Sequence, residues 1–552
     1  MSMPWLASYP AGIPQQLDIP DQAIPDLLTQ AARDFPGVAA IRFYGQSISY
    51  AELDRLANRC ALAFQSHGIV AGERVVLVLP NVPQAVICYY GALRAGATVV
   101  LTNPIFEAGA LVRQIEDSQA NFIVALSMFH PLIAQVRARV VLKQVIYTNL
   151  KEYLPASQRQ LFTLLRQERE GHRVPDQEAQ RSLWLARLLE SMPDAGPLPS
   201  PAPTALAALL YTGGTTGEPR GVMHSHRSLI ANALQTSAWL GAERGRERLL
   251  CAIPFSHAYG MTACMNVSVA IAATMILLPT FEIQNVLHAI RRERPTLFPG
   301  VPPMYAAIAN APNARSYGLS SLHACISGAA PLPIEVQEGF ERVTRARLVE
   351  GYGLTEAGPV THANPLSGGG RAGFIGLPLP ATEAKIVDLE TGADLPPGSI
   401  GELLVRGPQL MLGYWNRPEE TADVLCSDGW LHTGDLARME PDGFFQVIER
   451  KKEMIVAGPY NIYPRDVEEA LYEHPKVLEA AVAGIPKDGY TDIKAFVVLR
   501  DGERADPDEI LAFLRERLSA YKIPGAVEFL DSLPRSFIGK VLRRVLIERE
   551  RR

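Results

Sequence analysis

The chain lacks any cysteine pair that could carry chemistry. Its six cysteines, Cys60, Cys88, Cys251, Cys264, Cys325 and Cys426, form no CxxC and have no histidines at zinc-ligand spacing. That excludes a disulfide framework and a Cys/His zinc site. Most of them lie in apolar runs, which raise a thiol's pKa and argue against a catalytic thiolate. Blocks of like charge are missing too: the net charge is -5 and 20% of residues are charged. No basic field able to grip nucleic acid results. The most apolar run, "CMNVSVAIAATMILLP" from Cys264 to Pro279, carries Asn, Ser and Thr. It is shorter than the ~20 residues a spanning helix needs and reads as core, so no transmembrane segment is expected. The opening "MSMPWLASYPAGIPQQLDIP" has neither a basic n-region nor an apolar h-region. A cytoplasmic protein without a secretory signal is therefore expected.

A length of 552 residues exceeds what one hydrophobic core usually organises, so at least two domains are expected. Helical spacing from Tyr50 to Ser66, the strand "RVVLVLP", the helix "PQAVICYYGALRA" and the strand "ATVVLTNP" follow one another. Strands apolar on both faces, alternating with helices, predict an α/β fold with a parallel or mixed sheet. Between Lys151 and Leu189 a charged, leucine-spaced stretch predicts an amphipathic surface helix, its mixed-sign polar face favouring packing on its own domain over membrane contact. "PDAGPLPSPAPT" reads as a linker, and alternating apolar runs near 384 to 407 predict a small β subdomain. After Ile448 come a helix "DVEEALYEHP", strands "VLEAAVAGIP" and "IKAFVVLR", a helix "PDEILAFLRERLS" and a basic helical tail after Gly539. The boundary falls at "ERKKEM", giving an N-terminal domain 1–449 and a C-terminal α+β domain 450–552.

Chemistry concentrates in "YTGGTTGEPRGV", Tyr211 to Val222. Gly213, Gly214 and Gly217 free the backbone to converge its N–H groups into a nest for anionic oxygens. Thr212, Thr215 and Thr216 add hydroxyls, and Arg220 adds a charged fork. A polyphosphate is the ligand implied. Neither the Walker spacing GxxxxGK[ST] nor the dinucleotide spacing GxGxxG is present, since Glu218 and Pro219 follow Gly217 and "GYGLTEAG" is spaced differently.

These letters resemble the adenylate-forming enzymes, which include acyl-CoA synthetases, luciferases and the adenylation domains of peptide synthetases. The resemblance runs in order through "PFSHAYG", "SGAAPLP", "GYGLTE", "GELLVRGPQLMLGYW", "GWLHTGD", "RKKEMIVAGPYNIYP" and "LPRSFIGKVLRR". Within that family the N-terminal "PWLASYPAGIP" and "VIYTNLKEYLP" are most similar to bacterial long-chain fatty-acyl-CoA synthetases. The resemblance implies a large N-terminal domain that holds ATP and the acyl group, with a mobile C-terminal domain. It implies activation of a fatty carboxylic acid, of medium to long chain, through an acyl-adenylate, and transfer to coenzyme A with release of AMP and pyrophosphate.

Matched residue by residue, Thr212 and Glu356 fall at positions tied to Mg²⁺, a hard ion that favours oxygen ligands. Gly328, Ala329 and Ala330, with Gly351, Tyr352, Gly353, Leu354 and Thr355, would form the adenine slot. Asp435 would accept from the ribose hydroxyls, and Arg450 and Lys452 match a ribose or phosphate contact and a hinge. Lys540 matches the lysine that bridges the attacking carboxylate and the α-phosphate, and His257 matches a residue between the acyl pocket and the nucleotide. Ser256 stands where peptide-synthetase domains usually place Asp, which disfavours an amino-acid substrate. The chain departs from the family at Gly214, at Arg220 where Lys is usual, at Val456 where some members carry Lys, and at Pro459 beside the thiol tunnel. Two alternatives stay open: an acyl-AMP ligase loading an acyl carrier protein, and an aryl- or aryl-alkanoate-CoA ligase. A non-catalytic nucleotide sensor is the competing class. Peripheral membrane contact and oligomeric state are left open.

Overall fold

Side chains along a strand point alternately to its two faces, so a strand apolar on both faces must be covered on both. Arg74–Val78, Thr98–Leu101 and Phe122–Leu126 are such strands. The computed structural model describes residues 3–103, 107–194, 196, 198–213, 219–457, 460–487, 490–535 and 541–550. In it the three strands pair in parallel, Val75 facing Val99 on one side and Phe122 on the other. Among the described residues their sheet has eight strands, in the order Gly413–Tyr414, Pro219–Ser225, Leu206–Gly213, Thr98–Leu101, Arg74–Val78, Phe122–Leu126, Gln144–Thr148 and Leu183–Trp184. Leu206–Gly213 and Pro219–Ser225 run antiparallel, so the sheet is mixed.

A nine-stranded sheet among the described residues has Leu297–Gly300, Ala324–Ser327 and Arg347–Gly353 as parallel neighbours. Its register sets Gly300 beside Ser327 and Ser327 beside Glu350, so the segments leaving these strands emerge level at one edge. Helix Tyr50–Ser66 begins where Ser49 accepts the Glu52 N–H, and it buries Leu53, Ala57, Cys60, Ala61 and Phe64. It packs on helix Pro83–Arg94 so closely that a Cβ at Gly91 would lie 2.6 Å from the Cys60 sulfur. Both helices and the strands beside them fall where the apolar spacing predicts. The fold is α/β, with large mixed sheets and flanking helices.

The surface helix expected between Lys151 and Leu189 is instead a series of short pieces: Leu150–Tyr153, Ala156–Leu165, Asp176–Gln180 and Leu185–Ser191. The second piece ends at Leu165, and Gly171 at φ +73° and the position before Pro175 keep an α-helix from resuming before Asp176, because neither a left-handed residue nor the position before a proline continues one. Phe162 is buried with its ring edge-on to His172, and Leu164 stays exposed.

Contacts divide the chain into two compact units, residues 5–383 with 406–431, and residues 384–405 with 432 onward. The second holds a four-stranded sheet in the order Glu383–Val387, Ile400–Arg406, Leu431–Met439 and Phe445–Arg450. The small β subdomain read near 384 to 407 supplies two of these strands. Farther on, helix Pro464–Tyr472, the antiparallel pair Val477–Lys487 and Tyr490–Leu499, helix Pro507–Arg515 and helix Arg543–Glu550 follow the predicted order. Strand Ala526–Phe529, which runs parallel to Tyr490–Leu499, has no counterpart in the sequence reading. Five cysteines are buried and Cys426 half-buried, and burial pushes the Cys60, Cys251 and Cys325 thiols up. No helix among the described residues is long and apolar enough to cross a membrane.

Candidate active site

The Gly/Thr stretch lies between the antiparallel strands Leu206–Gly213 and Pro219–Ser225, which form a hairpin. Thr212 and Arg220 are direct cross-strand partners, as are Tyr211 and Gly221, so the Thr212 and Arg220 side chains share one face. Gly213 pairs with Pro219, while Gly214, Thr215, Thr216 and Gly217 lie outside the described residues. Among the described residues the Arg220 guanidinium meets Glu420 and Tyr414. Its Nε lies 2.5 Å from Glu420 Oε2, and the group stands 5.5 Å over the Tyr414 ring. Glu420 also faces Arg417 at 3.4 Å, and Arg417 faces Asp117 at 3.8 Å. Asp117 in turn accepts the Tyr211 hydroxyl at 2.7 Å, so both strands of the hairpin are tied into one chain of charges.

Glu356 sits in a short turn, Thr355–Ala357, just beyond strand Arg347–Gly353. Tyr414 Oη donates to Glu356 Oε1 at 2.8 Å, and the Met411 N–H donates to the Glu356 carbonyl at 2.8 Å. His224, on the second hairpin strand, donates from Nε2 to the Thr355 carbonyl at 2.7 Å. Burial depresses the His224 pKa to about 4, so the ring is neutral and its Nε2 carries the proton for that bond. Two tethers therefore bind the hairpin to the segment that carries Glu356.

Gly328, Ala329 and Ala330 follow strand Ala324–Ser327, with Ala329 held at φ +68°. Gly351, Tyr352 and Gly353 end strand Arg347–Gly353, and Leu354 and Thr355 continue from it. Both segments thus leave neighbouring parallel strands at their carboxyl ends, the place where open α/β sheets form ligand crevices. A Cβ at Gly353 would lie 1.9 Å from the Pro359 carbonyl oxygen, so that position admits glycine alone. His257 is partly buried, and its Nδ1 accepts the Tyr259 N–H at 3.1 Å. Burial depresses its pKa to about 4, leaving a neutral ring whose Nε2 holds the proton.

Two family models match the chain, that of the AMP-binding enzyme over residues 28–415 and that of the AMP-binding enzyme C-terminal domain over residues 466–540. The chain belongs to the AMP-binding enzyme family. It is 44% identical to a long-chain-fatty-acid–CoA ligase of Bacillus subtilis (strain 168), over 99% of this chain and 98% of that protein. It is 35% identical to a feruloyl-CoA synthase of an Amycolatopsis species, over 93% of this chain and 96% of that one. Its fold is similar to the crystal structure of ATP-bound MatB from Rhodopseudomonas palustris, with a TM-score of 0.84 at 29% identity, covering 95% of this chain and 98% of that one.

In this AMP-binding enzyme the smaller unit carries the remaining candidates. Asp435 and Arg450 are direct cross-strand partners, with Arg450 Nε 3.7 Å from Asp435 Oδ1. Asp435 is buried, and its N–H donates to Thr433 Oγ1 at 3.1 Å. Lys452 is exposed in the turn that follows, where the Glu453 and Met454 N–H groups return to the Arg450 carbonyl at 2.9 and 3.0 Å. Lys540 and Pro459 lie outside the described residues. Glu449 is buried and accepts the Arg450 and Arg465 N–H groups at 2.9 and 3.1 Å. Burial pushes its carboxyl up.

Among the described residues no cluster of three or more His, Cys, Asp or Glu side chains could hold a metal by itself. Thr212 and Glu356 offer a hydroxyl and a carboxylate oxygen, a set that suits a hard cation whose other ligands arrive with a phosphate. Tyr414 and Glu420 join the site only in three dimensions. Both lie far from Arg220 and Glu356 in sequence, and the one hint was that Tyr414 falls inside the quoted "LMLGYW".

Proposed function

We propose that the chain is an ATP-dependent acyl-CoA ligase that activates a medium- to long-chain fatty acid as its acyl-adenylate and passes the acyl group to coenzyme A. The observation that carries this reading is the double tether, through Tyr414 and His224, between the phosphate-loop hairpin and Glu356, in a chain 44% identical over its length to a long-chain-fatty-acid–CoA ligase. A carboxylate oxygen attacks the α-phosphate, pyrophosphate leaves, and the thiol sulfur then attacks the acyl carbon and expels AMP.

Arg220, Thr212 and the glycines and threonines of 213–217 neutralise the leaving pyrophosphate, a reaction in which positioning and charge neutralisation do most of the work. Thr212 and Glu356 would hold Mg²⁺, which when bound supplies further neutralisation of phosphate charge. Gly328 to Ala330 and Gly351 to Thr355 receive the adenine, while Asp435 and Arg450 receive the ribose. The neutral His257 borders the reacting carboxylate as a hydrogen-bond donor from Nε2 rather than as a base. Lys540 bridges carboxylate and α-phosphate. A domain of residues 450–552, hinged at Lys452, presents that lysine for the first half-reaction and withdraws it for the second. Dependence on ATP and a thiol cofactor supports a cytoplasmic site of action.

Fatty-acid-dependent exchange of pyrophosphate into ATP, followed by a thioester when coenzyme A is added, tests the reading. Absence of exchange across a broad carboxylic-acid panel overturns it. The feruloyl-CoA synthase relative supports a second reading, an aryl-alkanoate substrate, and the same panel distinguishes the two. A thioester formed on an acyl carrier protein but not on coenzyme A would reassign the acceptor.

A further inference from the structure

We propose that Tyr414 is a positioning residue that holds Glu356 and Arg220 in register for a metal-bearing polyphosphate, an inference that rests on the functional reading above. Tyr414 is 5% exposed and belongs to the short strand Gly413–Tyr414, which pairs antiparallel with the second hairpin strand at Val222 and Met223. Three further backbone bonds fix this segment. Leu412 N–H reaches the Met223 carbonyl at 2.8 Å, Trp415 N–H the Gly221 carbonyl at 2.7 Å, and Tyr414 N–H the Thr421 hydroxyl at 2.9 Å. The ring is therefore clamped to the hairpin before any ligand is considered.

From that fixed place the side chain serves two groups of opposite charge. Its face lies under the Arg220 guanidinium, where the negative ring face favours a cation, and its hydroxyl donates to one oxygen of Glu356. Oε1 of Glu356 is thus engaged, and the carboxylate is oriented with Oε2 left to meet a cation. Backbone and side chain of Glu356 are both held by the segment 411–414, through the Met411 N–H and the Tyr414 hydroxyl. Glu420 keeps Arg220 in place from the other side.

The two contacts separate by substitution. Tyr414→Phe keeps the ring under Arg220 and removes the hydroxyl, which bonds Glu356 and also lies beside Arg220, while Tyr414→Leu removes ring and hydroxyl together. Binding of α,β-methylene-ATP to the full-length protein is measured by calorimetry with Mg²⁺ and with the metal chelated. Tyr414→Phe is expected to lose about three- to tenfold of the Mg²⁺ enhancement, a larger loss than any it shows for the metal-free nucleotide. Tyr414→Leu is expected to weaken both. In Glu356→Gln, adding Tyr414→Phe should remove little further enhancement, because the hydroxyl acts through that carboxylate. Unchanged Mg²⁺ enhancement in Tyr414→Phe, equal losses with and without metal, or additive losses in the double variant would each overturn the inference. A native protein that binds no nucleotide overturns the functional reading itself.

Discussion

Arg543 is a stringent place to perturb the smaller unit. Its Nη2 donates to both oxygens of Glu468, at 2.7 and 2.8 Å, and its Nη1 reaches Glu453. The three side chains are 18%, 13% and 20% exposed, and the buried Glu449 lies close enough for the Arg543 charge to lower its pKa. Arg543→Met keeps much of the stem volume but leaves these carboxylates without their cation. Removing one partner of a buried ion pair typically costs 3–5 kcal/mol, and the residual wetting of this cluster reduces that to about 2–3 kcal/mol. At about 1.4 kcal/mol per factor of ten, hydrogen-exchange protection of the helix Pro464–Tyr472 amides should fall about 30- to 150-fold in the full-length protein. The loss should depend on pH. The Glu449 carboxyl, already raised by burial, loses with Arg543 a charge that lowers it and so rises further. A raised carboxyl keeps its stabilising contribution below the unfolded pKa and loses it as pH climbs through the folded one. The deficit should therefore grow as pH rises above the unfolded carboxyl range and shrink on acidification toward it. A deficit under about 0.5 kcal/mol, or one that does not shrink on acidification, would refute the argument.

Gly353→Ala should raise the KM for ATP and lower the melting temperature, because the Pro359 carbonyl 1.9 Å from the new Cβ must move; steady-state kinetics and calorimetry check this. Arg220→Lys keeps the charge but loses the planar fork on Glu420 and Tyr414, so the KM for ATP should rise about three- to tenfold with little change in the KM for the fatty acid. Lys540→Ala should abolish pyrophosphate exchange and spare thioester formation from supplied acyl-adenylate; equal loss of both would contradict its assigned part. With the His257 pKa depressed to about 4, the rate profile of the native enzyme above pH ~5.5 should carry no inflection that His257→Ala removes.

Local pattern made much of the fold legible. Helices Tyr50–Ser66 and Pro83–Arg94 follow apolar spacing, and strands such as Thr98–Leu101 declare burial on both faces by being apolar throughout. Between Lys151 and Leu189 the leucine spacing misled, because Gly171 and Pro175 interrupt the helix without changing the apolar count. The candidate site was legible as letters and not as an arrangement. Thr212 and Arg220 stand opposite each other because strands Leu206–Gly213 and Pro219–Ser225 pair antiparallel, whereas Glu356 meets Arg220 through Tyr414, 58 residues farther along the chain. Pairings of that range depend on strand order across two sheets, which no local spacing encodes. Asp435 and Arg450 illustrate the same limit: each falls in a motif, and only strand register sets them side by side.

The central claim is that a carboxylate oxygen attacks the α-phosphate of ATP and that a thiol then displaces AMP. Fatty acid labelled with ¹⁸O in both carboxylate oxygens, turned over with ATP, Mg²⁺ and coenzyme A, tests it by mass spectrometry of the nucleotide product. The mechanism predicts AMP carrying one ¹⁸O and a thioester retaining the other. Unlabelled AMP, or ADP with the label in inorganic phosphate, would contradict it.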